Sequence, residues 1–153
     1  MIRKLALAAL IASILDMGAN FLLWGLWKGV SPVRICQSVA TGVYGKAAFD
    51  GGYTTALAGL ALEYVIVLGM ALGYYVMITV LPMARRHWGV AVVGYGIFLY
   101  IVMNYVVVPL SAAGRPVPWP IVWDFKFAFN LFCHIALVAL PFALIFRGEA
   151  SKR

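Results

Sequence analysis

The sequence predicts an all-α integral membrane protein, a bundle of four transmembrane helices that forms a single domain over residues 1–153. The 153-residue chain is 65% hydrophobic and only 11% charged, whereas soluble domains average about 45–50% apolar and about 25% charged residues. The apolar residues also concentrate in four runs, each long enough to cross a hydrocarbon core of about 30 Å. Finally, the basic residues stand at the ends of those runs, as topology determinants do.

Charge and composition exclude two other classes of protein. A small soluble domain leaves much of its surface in water, and 12 Lys and Arg with 5 Asp and Glu cannot cover such a surface. The same apolar content excludes a disordered chain. The net charge of +7 would suggest nucleic acid in a soluble protein, but no basic stripe is interleaved with aromatic residues. We therefore expect contacts with membrane lipids and no nucleic-acid partner.

The four predicted spans are residues 5–24, 53–81, 88–110 and 121–146. Arg3 and Lys4 precede the first run, which also fits a signal peptide. Asp16 and Asn20, however, stand where cleavage would be expected, so we interpret this run as a retained helix. Pro82 ends the second span, because proline cannot continue the helix.

The first loop, on the predicted periplasmic side, contains a short amphipathic helix over residues 32–44. Ser31 and Pro32 form a helix start, an N-cap followed by proline at the first helical position. Apolar residues then recur at helical spacing, and glycines end the run. We expect this helix to lie at the outer interface, either as a structured connector or as a lid over a site between the spans.

The distribution of Lys and Arg predicts the orientation. Four spans place both termini and the second loop on one side of the membrane. Seven basic residues fall on that side: Arg3, Lys4, Arg85, Arg86, Arg147, Lys152 and Arg153. Five fall on the other: Lys28, Arg34, Lys46, Arg115 and Lys126. The positive-inside rule then predicts a bacterial inner-membrane protein with both termini in the cytoplasm.

Polar side chains within the predicted spans form a candidate site. They are Asp16, Asn20, Glu63, Asn104, Lys126, Asn130 and His134. A rise of about 1.5 Å per residue places Asp16, Glu63, Asn130 and His134 near the midplane, with the others closer to the outer surface. Spacing by four places Asp16 with Asn20 on one helix face, and Lys126 with Asn130 and His134 on another. Asn104 shares a face with Tyr100, and Glu63 shares the small-residue face of its helix with Gly59. Because an acidic side chain at mid-bilayer costs about 2.5–3.5 kcal/mol on insertion scales, these faces should meet inside the bundle or line a wet cavity.

This polar cluster has a structural and a functional interpretation. Hydrogen bonds between membrane helices, worth about 0.6 kcal/mol each, need no function, and Asp16 or Glu63 could pair with a protonated His134. Alternatively, a carboxylate and an imidazole in a low dielectric could relay protons. No spacing supports a metal site, and only His134 among the histidines lies within a span, so no metal or cofactor is expected.

Two pairs of small residues predict close helix packing. Gly69 and Gly73 form a GxxxG motif, and Ala8 and Ala12 have the same spacing. Small residues let helices approach closely in lipid. Each pair fits either packing within the bundle or contact with a second copy of the chain.

Several short motifs occur in a defined order between about residues 10 and 145. They are Leu15-Asp16, Pro32 to Gln37, Ala40-Thr41-Gly42, Ala47 to Gly52, Tyr95-Gly96, Met103-Asn104, Pro109 to Ala112, His134 and Leu140-Pro141. This order resembles a family of small four-helix inner-membrane proteins of proteobacteria and, more loosely, the YagU-like membrane proteins. The resemblance implies the fold and the location, but no activity, cofactor or catalytic residue. That family pattern often has histidine where this chain has Glu63, which argues against a metal or haem held by a histidine pair.

The sequence contains no enzyme signature, since GxSxG, HExxH, Walker and Rossmann motifs are all missing. We therefore expect a protein without enzymatic activity. The first hypothesis is an accessory subunit of a larger membrane complex, or a self-associating unit, with other membrane subunits or a second copy as partners. The alternative is a small proton-coupled transporter or channel that uses Asp16, Glu63 and His134.

Overall fold

The computed structural model describes residues 1–116 and 120–147, and these ranges contain helices and no strand. The helices are α1 (Ile2–Trp27), α2 (Pro32–Tyr44), α3 (Gly52–Val80), α4 (Pro82–Arg86), α5 (Trp88–Leu110) and α6 (Phe125–Phe146). Helices α1, α3, α5 and α6 are long and apolar enough to cross a membrane. The predicted all-α four-helix bundle is confirmed, and the chain is a multi-pass membrane protein. Lys152 and Arg153, used above to predict orientation, lie outside the described residues.

Two of the predicted spans have different ends in the structure. Helix α1 continues to Trp27, beyond the predicted residue 24, and the chain turns at Gly29, whose φ is +65°. Helix α6 begins at Phe125 and not at residue 121. Its start is fixed by the carboxylate of Asp124, which accepts a hydrogen bond from the backbone N–H of Phe127 at 2.9 Å. Such a cap satisfies an N–H group that has no partner inside the helix.

Three of the four spans contain wide, π-helical turns, at Phe21–Trp27, Met103–Val107 and Cys133–Ala139. The last two precede Pro109 and Pro141. A proline ring has no N–H to donate and clashes with the carbonyl four residues earlier, which the wider turn relieves. Asn104 and His134 lie within these turns, and Asn20 directly precedes the first of them. Turns of this kind are frequent at functional sites.

Helix α6 is the centre of the bundle, since it contacts α1, α3 and α5, while α1 also packs along α3. The half of the bundle nearest α4 has a dry aromatic core. Tyr74, Phe142 and Phe146 are almost fully buried there, and the rings of Tyr74 and Phe146 stack with centroids 6.4 Å apart. The hydroxyl of Tyr95 links α5 to α3 by donating to the carbonyl of Met70 at 2.7 Å. The polar side chains lie in the other half of the bundle, nearest α2.

The two predicted pairs of small residues behave differently. Ala8 and Ala12 are completely buried in the core, so this pair packs within the bundle. A methyl group on Gly73 would lie 2.6 Å from the hydroxyl of Tyr95, whereas one on Gly69 would meet no atom within 4 Å. Packing within the bundle therefore holds for Gly73 and is wrong for Gly69. Contact of Gly69 with a second copy stays a prediction.

Helix α2 forms over the predicted residues, with the hydroxyl of Ser31 accepting from the backbone N–H of Arg34 at 3.3 Å. It packs against the first two turns of α3. The contact is closest at Gly59, where a methyl group would lie 2.0 Å from the carbonyl oxygen of Cys36. The side chain of Gln37 donates to the carbonyl of Gly52 at 3.0 Å. Helix α2 is thus a fixed part of the bundle, as expected of a structured connector.

Candidate functional site

A central cavity opens between the four spans in the half of the bundle nearest α2. Its volume is about 310 Å³. Every span contributes polar side chains to its lining: Asp16 from α1, Glu63 from α3, Asn104 from α5, and Asn130 and His134 from α6. The side chains of Val67, Met70 and Val138 form its apolar wall. Five of the seven predicted site residues therefore share one cavity.

Two further cavities adjoin the central one, and together we call them the mouth. They have volumes of about 620 and 470 Å³. Asn130 and Arg115 line both of them and the central cavity as well. The remaining predicted residues, Asn20 and Lys126, lie in the mouth. The structure thus brings all seven predicted residues to one connected space.

Arg34 and Arg115 also line this space, although their positions in the sequence predict only a role as topology determinants. Arg34 projects from the first turn of α2, and Arg115 follows α5 in the loop before α6. Their positions depend on how α2 and that loop fold back over the bundle. Helical spacing within the spans does not predict where residues outside the spans lie.

On α1, Asn20 holds the carboxylate of Asp16. The Nδ2 group of Asn20 donates to the Asp16 carbonyl at 2.9 Å and to its Oδ2 at 3.3 Å. The two residues are four apart, so they share one helix face. This arrangement fixes the carboxylate at the edge of the central cavity.

On α6, the carbonyl of Asn130 orients His134. The Nδ1 atom of His134 lies 2.8 Å from that carbonyl oxygen. Because a carbonyl can only accept a hydrogen bond, Nδ1 carries the proton in this contact. In the neutral imidazole the Nε2 atom is then left with a lone pair, which can take a proton or accept a hydrogen bond from a ligand. The ring of Tyr100 packs edge-on against the imidazole, with centroids 6.0 Å apart.

Asp16 interacts electrostatically with both Glu63 and His134. Within the described ranges, however, neither carboxylate forms an ion pair with His134, and the carboxylate of Glu63 makes no hydrogen bond. Among the described residues, the expected ion pair of Asp16 or Glu63 with His134 is therefore not formed. The central cavity is instead lined by Asp16, Glu63, His134 and the guanidinium-bearing Arg115. Glu63 and the Nε2 atom of His134 make no hydrogen bond among the described residues and face the cavity.

The central cavity opens toward the mouth and is closed toward α4. Val67 and Val138, which line it, are each at most 3% exposed. Beyond them along α3 and α6 lie the packed rings of Tyr74 and Phe142. Within the described part of the chain, the open side of the central cavity is therefore the side nearest α2.

The described ranges contain no group of three His, Cys, Asp or Glu placed to hold a metal ion. His87 lies between α4 and α5, at the other end of the bundle from the cavity. The thiols of Cys36 and Cys133 are buried and unbridged. Comparison of the chain with protein-family models, with curated proteins and with solved structures finds no match.

Proposed function

We propose that this protein is a small proton-coupled membrane transporter whose central cavity binds a polar solute beside Asp16, Glu63 and His134. The observation that carries the proposal is the environment of Glu63. Its carboxylate lines the central cavity, at a depth that the sequence predicts to be near the membrane midplane, and makes no hydrogen bond within the described part of the chain. Such a group requires water, a proton or a ligand as its partner.

Helix packing alone would favour a different arrangement of the polar groups. Polar side chains that only join helices form hydrogen bonds with one another. The Nδ2 group of Asn104 and the Oδ1 atom of Asn130, 3.3 Å apart, are an example. Glu63 and the Nε2 atom of His134 are not used in this way. Two carboxyl groups and an imidazole in one cavity form a proton-accepting site whose occupancy depends on pH, and intramembrane groups of this kind are typical of proton relays.

The cavity also suggests how a solute would cross. It is open toward α2 and closed toward α4 by the aromatic core around Tyr74 and Phe142. Transport requires a second conformation in which this core opens and the mouth closes. The wide turns before Pro109 and Pro141 are places where α5 and α6 can bend, because their backbone hydrogen bonding is already irregular.

A second candidate is the accessory subunit or self-associating unit of the first hypothesis. A groove of about 550 Å³ between α3 and α5 supports it, since it is lined by Gly73, Gly94 and apolar side chains and faces outward. Mild extraction from native membranes separates the two candidates. A stoichiometric partner would favour the accessory subunit, and a lone chain would favour the transporter.

For the location, we propose a bacterial inner membrane with both termini in the cytoplasm. The excess of Lys and Arg at the termini and at Arg85 and Arg86 supports this orientation. In this orientation, the mouth faces the periplasm. Membership of the four-helix proteobacterial family and of the looser YagU-like group is part of the same proposal, supported by the order of motifs.

The experiment that tests transport uses the full chain in liposomes containing a pH-sensitive dye. An inward proton gradient is imposed, with sodium phosphate outside, and internal acidification is followed. We expect Glu63→Gln to slow acidification on the order of tenfold or more, because it removes the proton acceptor and preserves the shape of the side chain. Asp50→Asn is the matched control, since Asp50 is exposed at the end of the short 3₁₀ helix (Gly45–Asp50) that precedes α3.

Either of two outcomes would contradict the proposal. Wild-type liposomes could acidify no faster than empty ones. Alternatively, Glu63→Gln could transport as fast as the wild type while melting at the same temperature.

A further inference from the structure

Three basic side chains from three separate elements converge on the mouth. Arg34 comes from α2, Arg115 from the loop after α5, and Lys126 from the first turn of α6. All three are exposed to the space of the mouth. They form its rim although no two of them lie within ten residues of each other in the chain.

These three cations have no carboxylate partner among the described residues. The guanidinium of Arg34 lies over the ring of Phe49, 4.5 Å from its centroid, which leaves the edge of the group free to donate. The acid that lines the mouth among the described residues is Asp124, and its Oδ1 already accepts the capping hydrogen bond from Phe127. The mouth therefore has an excess of positive charge, and a cleft with low-dielectric walls concentrates the resulting field.

Asn130 adds neutral donors at the base of the mouth. Its Oδ1 accepts from the amide of Asn104, and its backbone carbonyl holds His134. The Nδ2 group of Asn130 has no acceptor within the described ranges and lies where all three cavities meet. An amide N–H₂ group beside a guanidinium offers the set of donors that a phosphate or carboxylate group accepts.

The anion would sit next to the protonatable groups. Lys126, Asn130 and His134 follow one another at intervals of four on α6, so they share a face and are about 6 Å apart along the axis. Arg115 also connects the two sites. It lines the mouth and, together with Glu63, the central cavity. A singly charged anion and one proton taken up together would leave the charge of the whole cavity unchanged.

We infer that the mouth is a binding site for an anionic group, a phosphate or a carboxylate, held by Arg34, Arg115, Lys126 and the amide of Asn130. The inference rests on the proposed function, for which it names the class of substrate. The anionic group has two possible carriers. A soluble solute and the headgroup of a membrane lipid both carry such a group and offer the site the same chemistry.

Equilibrium binding of inorganic phosphate to the purified full-length protein in neutral detergent tests the site. We expect saturable binding, and we expect Arg115→Gln and Lys126→Gln each to weaken it about tenfold, the effect of losing one charge-assisted hydrogen bond. Arg86→Gln is the matched control, because Arg86 is also exposed but lies on α4 at the opposite end. Two separate variants are used so that misfolding of one does not decide the result.

A second arm identifies the carrier. Thermal unfolding is compared in nanodiscs of phosphatidylcholine and in nanodiscs containing phosphatidylglycerol. If phosphate does not bind, but phosphatidylglycerol raises the melting temperature of the wild type and of Arg86→Gln and not of the two mouth variants, the site takes a lipid headgroup. If neither probe binds, or if both bind the mouth variants as well as the wild type, the inference is overturned.

The design separates this inference from the proposed function. Phosphate binding is measured at equilibrium without a gradient, and Glu63→Gln leaves the three basic residues in place. Binding that persists in a protein without proton flux would reject transport and keep the anion site. The opposite result is also informative. If the protein binds neither phosphate nor phosphatidylglycerol, and proton flux needs Glu63 but is unaffected by Arg115→Gln and Lys126→Gln, the anion site is rejected and transport is kept.

Discussion

The side-chain amide of Asn104 donates a hydrogen bond to the Oδ1 atom of Asn130 at 3.3 Å, joining α5 to α6 where the central cavity meets its mouth. The same Asn104 amide donates to the carbonyl of Tyr100 at 2.9 Å, which anchors it to its own helix. Because the Oδ1 of Asn130 is held in this way, its Nδ2 group is turned toward the cavities. One bond between spans thus orients the neutral donor of the proposed anion site.

Asn104→Ala should therefore affect binding more than stability. We expect the free energy of unfolding to fall by only about 0.6 kcal/mol, the average for a hydrogen bond between membrane helices. Phosphate affinity should fall severalfold, because the amide of Asn130 loses its fixed orientation. Detergent melting curves and phosphate titrations measure the two effects. Thr79→Ala serves as control, since Thr79 is half-buried and its hydroxyl donates an exposed hydrogen bond within its own helix to the carbonyl of Val76. Unchanged phosphate affinity in Asn104→Ala would contradict this account of Asn130.

The contact between α5 and α6 offers a second test through two neighbouring glycines. A methyl group on Gly96 would lie 2.7 Å from the Cα of Ile135, whereas one on Gly94 would meet nothing within 4 Å. Gly96→Ala should lower the free energy of unfolding by about 1–3 kcal/mol, as overpacking of a core does. Gly94→Ala should change it by less than about 0.5 kcal/mol. Equal melting temperatures for the two variants would show that α5 and α6 do not meet at Gly96.

Much of the fold could be predicted because it depends on local patterns. Ser31 and Pro32 start α2 where a capping residue and a proline stand together, and the spacing by four of Asp16 and Asn20 places them on one face. The start of α6 at Phe125 was missed because the apolar run begins earlier, at Ile121, and hides the cap at Asp124. The periodicity of polar residues indicates which residues share a helix face. It does not indicate where a helix begins or ends within an apolar run.

Contacts between distant elements could not be predicted in this way. Gly69 and Gly73 have the spacing of one motif, yet Tyr95 covers only Gly73. Arg34 and Arg115 were classed by the side of the membrane on which they fall, and their place at the mouth depends on how α2 packs against Gly59. These differences arise from the lateral arrangement of the helices, which no pattern within one segment encodes.

The packing of α2 against α3 can be tested through the thiol of Cys36. Cys36 is 5% exposed, and burial raises the pKa of its thiol, so little thiolate is present at neutral pH and maleimide should react slowly. Gly59→Ala places a methyl group against the Cys36 carbonyl and should push α2 away from α3. We expect labelling of Cys36 to become severalfold faster in this variant, measured by mass shift in a Cys133→Ser background.

Gly69→Ala is the matched control for that experiment, because Gly69 lies on the same helix with open space around it. It should leave the labelling rate unchanged. Raising the pH should speed the labelling of wild-type Cys36 continuously, and the rate should level off only above the ordinary pKa range of a thiol, because burial raises the pKa of this one. Rapid labelling of the wild type at neutral pH would mean that α2 does not stay packed on α3.

The direction in which the mouth faces decides the direction of the proposed transport. Val122 beside the mouth and Met83 on α4 are 66% and 72% exposed and lie at opposite ends of the bundle. In intact cells of an outer-membrane-permeable strain, a membrane-impermeant maleimide should label Val122→Cys. It should label Met83→Cys only after the inner membrane is opened, because the positive-inside rule predicts a cytoplasmic location for α4. The buried native cysteines give a low background. The reverse pattern of labelling would turn the mouth toward the cytoplasm, and the basic rim would then collect anions for export.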